Sequence, residues 1–321
     1  MESVLEVKNL KTYFYTRWGV VKAVDGVSFH LNRGETLGIV GESGCGKTIT
    51  SLSLLRLVPK PAGRIVGGEI LLEGENILRK SDEDMRMIRG KKISMILQDP
   101  MSSLNPVLSI GYQIKEAIRI HQRLKGKPLF EKAKQMLEHV KIGSPELRLK
   151  AFPHQMSGGM RQRVVGAISI ACEPTVLIAD EPTTSLDVTV QAQYLKLLKD
   201  LQAETHFSIV FITHDLGIVA QMCDRVCVMY AGRIVESAPV IEIFDNPVHP
   251  YTHALISSVP AVDKDVDRLF SIEGQPPALH HLPAGCAFKS RCGKFDHRCK
   301  DEYPPEVDVG PNHKVNCWQM T

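Results

Sequence analysis

The run Gly41-Glu42-Ser43-Gly44-Cys45-Gly46-Lys47-Thr48 constrains this chain more than any other, because it fits G-x-x-x-x-G-K-[ST] between a strand pattern and a helix pattern. Thr36-Leu37-Gly38-Ile39-Val40 before it reads as a buried strand, and Leu52, Leu54, Leu55 and Leu57 after it lie on a helix. The loop needs glycine because its N–H groups must turn toward phosphate oxygens, where a Cβ would be in the way. Lys47 offers a point charge to the outer phosphates and Thr48 a hydroxyl to magnesium, with Ile49 opening the helix behind them. Such a unit predicts an α/β fold around a mostly parallel sheet, with the chemistry at the strand ends.

The rest of the chain agrees with that class. Thr175-Val176-Leu177-Ile178-Ala179 and Ser208-Ile209-Val210-Phe211-Ile212-Thr213 read as two more buried strands. Leu5-Glu6-Val7, Val27 to Leu31 and Gly68 to Leu72 alternate as a small antiparallel layer, and residues from about 101 to 163 read as mainly helical. After Pro239 prolines and histidines accumulate and periodicity weakens. The expected division is residues 1–240, with a helical subdomain at about 101–163, and an irregular extension over 241–321.

With 43% hydrophobic residues in 321, the core is ample, and 39 basic against 36 acidic residues call for neither nucleic acid nor an anionic membrane as a bulk partner. The start, Met1-Glu2-Ser3-Val4-Leu5-Glu6, lacks the basic and apolar character of a secretion signal, so a cytoplasmic site is expected. There, eight cysteines argue for packing or metal ligation over disulfides.

Asp180 and Glu181 end an apolar strand and point in different directions. Asp180 can serve magnesium through its waters while Glu181 polarises a water for attack on a γ-phosphate. Between the loop and these acids lies Met156-Ser157-Gly158-Gly159-Met160-Arg161-Gln162-Arg163. Its paired glycines after a serine let backbone N–H groups approach a phosphate at the start of a helix.

Taken together, the phosphate loop, Gln98, Ser157-Gly158-Gly159, Asp180-Glu181, Ser185-Leu186-Asp187 and His214 follow the order of an ATP-binding-cassette ATPase, the nucleotide-binding subunit of an ABC transporter, which the chain resembles over most of its length. The resemblance implies a P-loop cassette fold with a helical subdomain, ATP and magnesium as ligands, and hydrolysis with Glu181 intact. Gln98 is similar to the glutamine that touches magnesium and senses the permease, Asp187 to the aspartate that communicates between subunits, and His214 to the histidine facing the γ-phosphate. An aromatic of the N-terminal layer stacks on adenine in the family, which points to Tyr13 or Phe14; strand alternation allows only one of them. Met160 stands where glutamine is commonest, Ser185 where alanine often precedes the leucine, and Cys45 where serine is usual, suggesting sensitivity to thiol reagents.

Within the family the resemblance narrows to dipeptide, oligopeptide and nickel importers, through Gly38 to Gly44, Gln98 to Pro106, Met156 to Arg163, and Asn246-Pro247-Val248-His249-Pro250-Tyr251-Thr252. It implies two membrane permease subunits, a second and non-identical cassette, an external solute-binding protein, and residence on the cytoplasmic face of the membrane. Met101 and Leu104 become candidate permease contacts. Nickel import, or a non-transport ATPase of iron-sulfur assembly or redox sensing, is the alternative.

Cys286, Cys292, Cys299 and Cys317 crowd the last 36 residues amid few large apolar side chains, so a metal centre could supply the missing staple. Their C-x5-C-x6-C-x17-C spacing fits neither the usual zinc pairs nor the common ferredoxin runs. The resemblance implies a [4Fe-4S] cluster on these four, with zinc as runner-up. Cys172, Cys223 and Cys227 lie in apolar runs and read as packing residues.

Overall fold

The computed structural model describes residues 2–99, 103–184, 186–259 and 270–320. In chain order the strands are β1 (Ser3–Thr16), β2 (Gly19–Asn32), β3 (Thr36–Val40), β4 (Gly63–Leu72), β5 (Glu75–Asn76), β6 (Ile93–Ile96), β7 (Val176–Asp180), β8 (Ser208–Ile212), β9 (Arg225–Tyr230), β10 (Arg233–Pro239), β11 (Val307–Gly310) and β12 (His313–Val315). The α-helices are α1 (Lys47–Leu54), α2 (Asp82–Ile88), α3 (Ile110–Gln122), α4 (Gly126–His139), α5 (Pro145–Lys150), α6 (Gly158–Ile170), α7 (Val188–Thr205), α8 (Leu216–Met222), α9 (Val240–Asp245) and α10 (Pro250–Ser257). They fall into two compact units, one of Met1–Leu5, Leu31–Glu35 and Arg79–Phe211, the other of Glu6–His30, Thr36–Leu78 and Ile212–Thr321.

The first unit carries β8, β7 and β6 side by side, with β6 and β7 parallel in the register Met95↔Ile178. Every residue of β7 and β8 is buried, which is why their sequences are continuous apolar runs with no alternation. Here too lies the helical segment. Ser109 caps α3 by accepting from the Tyr112 N–H, and Ile110, Ile114 and Ile118 repeat every fourth residue to bury one stripe. Ala133, Met136 and Leu137 do the same for α4, and α3, α4 and α5 pack on one another. A Cβ on Gly111 would come within 2.6 Å of the Leu149 carbonyl oxygen, so α3 approaches α5 at glycine distance.

In the second unit β2, β1, β4 and β5 form a sheet in that order, the small layer expected from alternation, with β4 and β5 antiparallel. A second group runs β11-β12-β10-β9-β3. Fully buried β3 lies parallel to β9 with Ile39 opposite Cys227, and β9 turns into antiparallel β10. The tail is largely irregular, as its weak periodicity suggests, yet β12 pairs antiparallel with β10 at Glu236↔Val315 and so adds to the sheet.

A buried carboxylate anchors that tail. Glu236 is 0% exposed and accepts from the Val248 and His249 N–H groups at 2.8 and 2.9 Å, with His313 Nε2 at 2.7 Å from Oε1. Burying a carboxylate is tolerable only with such partners. Beside it, Tyr230 meets Tyr251 and Phe288 at ring centroid distances of 4.6 and 5.3 Å. His249 is in the same group, 6.0 Å from Phe288.

Candidate functional site

In the second unit β3 delivers the phosphate loop. Gly41 has φ +154° and a Cβ there would lie 2.1 Å from the Met229 carbonyl oxygen; Gly46 has φ +111° and would meet the Ala23 carbonyl oxygen at 2.1 Å. Only glycine fits either place. Lys47, 5% exposed, donates from Nζ to the carbonyls of Gly41 at 2.7 Å and Glu42 at 3.1 Å, which closes the loop on itself. The Cys45 carbonyl accepts from the Gly232 N–H at 2.9 Å, tying the loop to the β9–β10 turn. Ser43, Gly44 and Thr48 are exposed and Ile49 is half-buried, so the face a nucleotide would use is open. The Cys45 thiol is 5% exposed and burial raises its pKa, so the structure argues against the reagent-sensitive thiol expected there.

Tyr13 is half-buried, and its hydroxyl donates to Asp25 Oδ1 at 2.6 Å. Burial, then this bond, pushes its pKa up to about 12. Burial would raise the Asp25 carboxyl, but the bonds from Tyr13 and from Arg233, the latter at 2.7 Å, hold it below its ordinary value. Phe14 takes the other part: a Cβ on Gly63 would come within 2.8 Å of its ring, so it packs on β4. His214 is exposed in the turn between β8 and α8, where Asp215 Oδ1 caps α8 by accepting from the Gly217 and Ile218 N–H groups.

In the first unit Asp180 is the buried last residue of β7 and Glu181 follows with φ +46°. A left-handed conformation is uncommon for glutamate and marks this turn as constrained. Gln98 Nε2 and Thr184 Oγ1 each donate to Glu181 Oε2 at 3.0 Å. Gln162 from α6 is fully buried and donates to the Pro182 carbonyl at 2.6 Å, so the Ser-Gly-Gly helix grips the segment after Glu181.

Ser157 caps α6, its hydroxyl accepting from the Met160 N–H at 3.3 Å. A Cβ on Gly158 would meet nothing, whereas one on Gly159 would press Val190 at 2.7 Å. Asp187 caps α7 by accepting from the Val190 N–H at 3.0 Å. Pro100, Met101, Ser102 and Ser185 lie outside the described residues. Leu104, a candidate permease contact, is 2% exposed, while Val107 is 76% exposed.

Cys286, Cys292, Cys299 and Cys317 line a single small cavity with His249, Phe288 and Trp318. Burial pushes the Cys286 thiol up to about 11 and raises Cys292 and Cys317 as well, so these thiols are protonated at neutral pH and ligation must displace the protons. Among the described residues no three His, Cys, Asp or Glu side chains are arranged to hold one metal ion. Cys172, Cys223 and Cys227 are buried, as packing residues would be, and the Cys172 thiol donates to the Ala117 carbonyl at 3.6 Å.

Two family profiles match: "ABC transporter" over residues 24–184 and "Oligopeptide/dipeptide transporter, C-terminal region" over residues 235–299. The chain belongs to the ABC transporter family. The cassette is 50% identical over 318 residues to the dipeptide transport ATP-binding protein DppD of Bacillus subtilis, covering 99% of this chain and 95% of that one. It is 49% identical over 318 residues to the oligopeptide transport ATP-binding protein OppD of the same organism, covering 99% and 89%. Among solved structures, the cassette MJ0796 in a dimeric post-hydrolysis state with ADP and Pi superposes at TM-score 0.65 over 74% of this chain and 98% of that one, with 24% identity, a likeness of fold. Thus the α/β P-loop cassette with a helical subdomain is the fold.

Nothing in the sequence marks a separate role for Thr184 or Gln162. Gln162 lies within the Met156–Arg163 segment, but only its 2.6 Å bond to Pro182 reveals what it holds.

Proposed function

We propose that this cassette hydrolyses ATP to drive import of peptides through a membrane complex. The observation that carries the reading is Glu181, held at the end of β7 with φ +46° and its Oε2 bonded by Gln98 and Thr184. A carboxylate fixed in this way can accept a proton from an attacking water. The phosphate loop supplies glycine-only backbone and the Lys47 charge for the triphosphate. Thr48 and Asp180 are hard oxygen donors suited to magnesium, with Gln98 as a neutral and releasable third. Magnesium, when bound, neutralises developing phosphate charge. His214 donates to the γ-phosphate and Tyr13 stacks on adenine, with Phe14 in the layer behind. Ser157, Gly158 and Gly159 serve a nucleotide on a partner cassette, and Asp187 communicates between the two. Glu181→Gln is expected to cut hydrolysis by about a hundredfold or more while ATP still binds; steady-state turnover at the parental rate overturns the assignment.

Peptide as the solute is supported by the C-terminal profile over residues 235–299 and by relatives named for dipeptide and oligopeptide transport. The partners are two permease subunits and a second, non-identical cassette, with an external binding protein choosing the solute. Residence on the cytoplasmic face of the membrane follows from the reading as an importer subunit; no helix among the described residues is long and apolar enough to cross a membrane. Residues 1–240 act as the ATPase domain, with the helical subdomain near 101–163 and the Gln98–Pro106 segment in the groove that receives the permease, and 241–321 as the extension. Isolation of the complex from native membranes, followed by ATPase assays with di- and oligopeptides and with nickel, tests the solute; stimulation by nickel alone reverses it.

The four-cysteine tail holds a [4Fe-4S] cluster in this reading. Its support is the family resemblance together with four cysteine side chains lining one cavity. Anaerobically purified protein should contain iron and absorb broadly near the violet edge; zinc without iron would identify zinc as the occupant.

A further inference from the structure

The second residue of the phosphate loop is Glu42, an acid where a polyanion is to be bound. A bare carboxylate there repels the phosphates. Its carboxylate is met by Arg291, whose guanidinium donates from one terminal nitrogen to Oε2 at 2.9 Å and from the other to Oε1 at 3.1 Å. Arg291 is 4% exposed and comes from the turn just before Cys292; it also donates to the Tyr230 hydroxyl at 3.3 Å and to the carbonyls of Ile272 and Glu273 at 3.3 and 3.0 Å. The backbone of Glu42 is held from the tail as well. Its N–H donates to the hydroxyl of Tyr251, a 0% exposed side chain from α10, at 2.9 Å. One loop residue is thus gripped by backbone and by side chain, both times from beyond residue 250.

We propose that Arg291 and Tyr251 are positioning residues of the ATP site: the tail neutralises Glu42, turns its carboxylate aside and fixes the first turn of the phosphate loop. This rests on reading Gly41–Thr48 as the ATP-binding loop. Arginine suits the task because its planar fork engages both carboxylate oxygens and its charge does not titrate. The hydroxyl of Tyr251 accepts from the Glu42 N–H and so fixes the backbone from which the later amides of the loop follow.

The test is binding of a fluorescent ATP analogue to the anaerobically purified full-length chain. Arg291→Gln is expected to raise Kd about tenfold, an effect of the size of one charge left uncompensated near the phosphates. Adding Glu42→Gln in the same chain should restore Kd to within about threefold of the parent, since no charge then remains to neutralise. A purely structural part for Arg291, acting through its carbonyl bonds, would not be rescued in this way. Parental Kd in Arg291→Gln, or no rescue in the double variant, overturns the proposal. If Arg291→Gln does not fold, Arg291→Lys carries the test: loss of the fork should raise Kd about threefold and Glu42→Gln should cancel the rise, and an unchanged Kd overturns it. Tyr251→Phe keeps the ring and should raise Kd about threefold with faster amide exchange at Glu42, parental values for both removing Tyr251 from the site. Failure of the parental protein to bind the analogue at all would instead refute the loop's assignment to ATP.

Discussion

The phosphate loop and the tail after residue 270 are both irregular backbone in the same unit, but they are held by different means. The loop takes its turn from its own residues, with the tail adding the grip on Glu42: Gly41 and Gly46 adopt φ values of +154° and +111°, and Lys47 closes the turn onto Gly41 and Glu42. The tail owes its course to distant partners, chiefly Glu236, which joins Val248 and His249 to His313, and Phe288 in its aromatic group. Local backbone chemistry writes a short, fixed spacing into a sequence; a hydrogen bond across 77 positions, as between Glu236 and His313, writes none.

The sharpest way to break this contrast is at Glu236. Glu236→Ala should destabilise the fold by about 3–5 kcal/mol, because three donors lose a buried charged partner, and denaturant unfolding would show it. A change below 1 kcal/mol would mean the tail is held elsewhere. Next is Gly46→Ala, whose Cβ would collide with the Ala23 carbonyl. Nucleotide affinity should fall by about a hundredfold, roughly 3 kcal/mol, while the cooperative unfolding of the tail is unaltered. Equal loss in both regions would abolish the distinction. Breaking the Asp25–Arg233 pair by Asp25→Asn should cost about 1–2 kcal/mol, less than Glu236 because Arg233 is 35% exposed, and should be read in thermal unfolding. Asp25 also predicts the sign of a pH effect. Its native pKa lies below the ordinary value, so the stabilisation is present above that value and is lost as acid protonates the native carboxylate. Smallest is Asp187→Ala, which removes the cap of α7 at a cost of about 1 kcal/mol, measurable by the same method.

The same contrast explains what the sequence made legible. β3, β7 and β8 are five-residue strands buried at every position, so each appears as an unbroken apolar run ending in polar residues. Asp180, Glu181 and Lys47 stand out because chemistry demands their residue types next to those runs, whereas Gln98 is marked only by the resemblance to the family. The part of Asp187 and Ser157 as helix caps is readable once helix starts are known, since both precede helices by one position. Phe14 and Tyr13 were separable only by neighbours: Gly63 receives one ring, and Asp25 takes the hydroxyl of the other. Nothing near Arg291 or Tyr251 in the sequence marks a contact with a residue more than 200 positions earlier, and Leu104 looked like a contact surface yet packs inward. The hairpin of β11 and β12 was hidden because two strands of four and three residues are too short to show alternation.

β12 on the edge of β10 carries a consequence for anyone trimming this protein. A chain cut after Pro239, where composition suggests a boundary, would uncover a strand edge and leave Glu236 facing solvent without its donors. It would also strip the Tyr230 ring of the tilted and edge-on aromatic side chains packed against it. Such a fragment is a different object from a smaller cassette, and its solubility, not its turnover, would be the first property to fail.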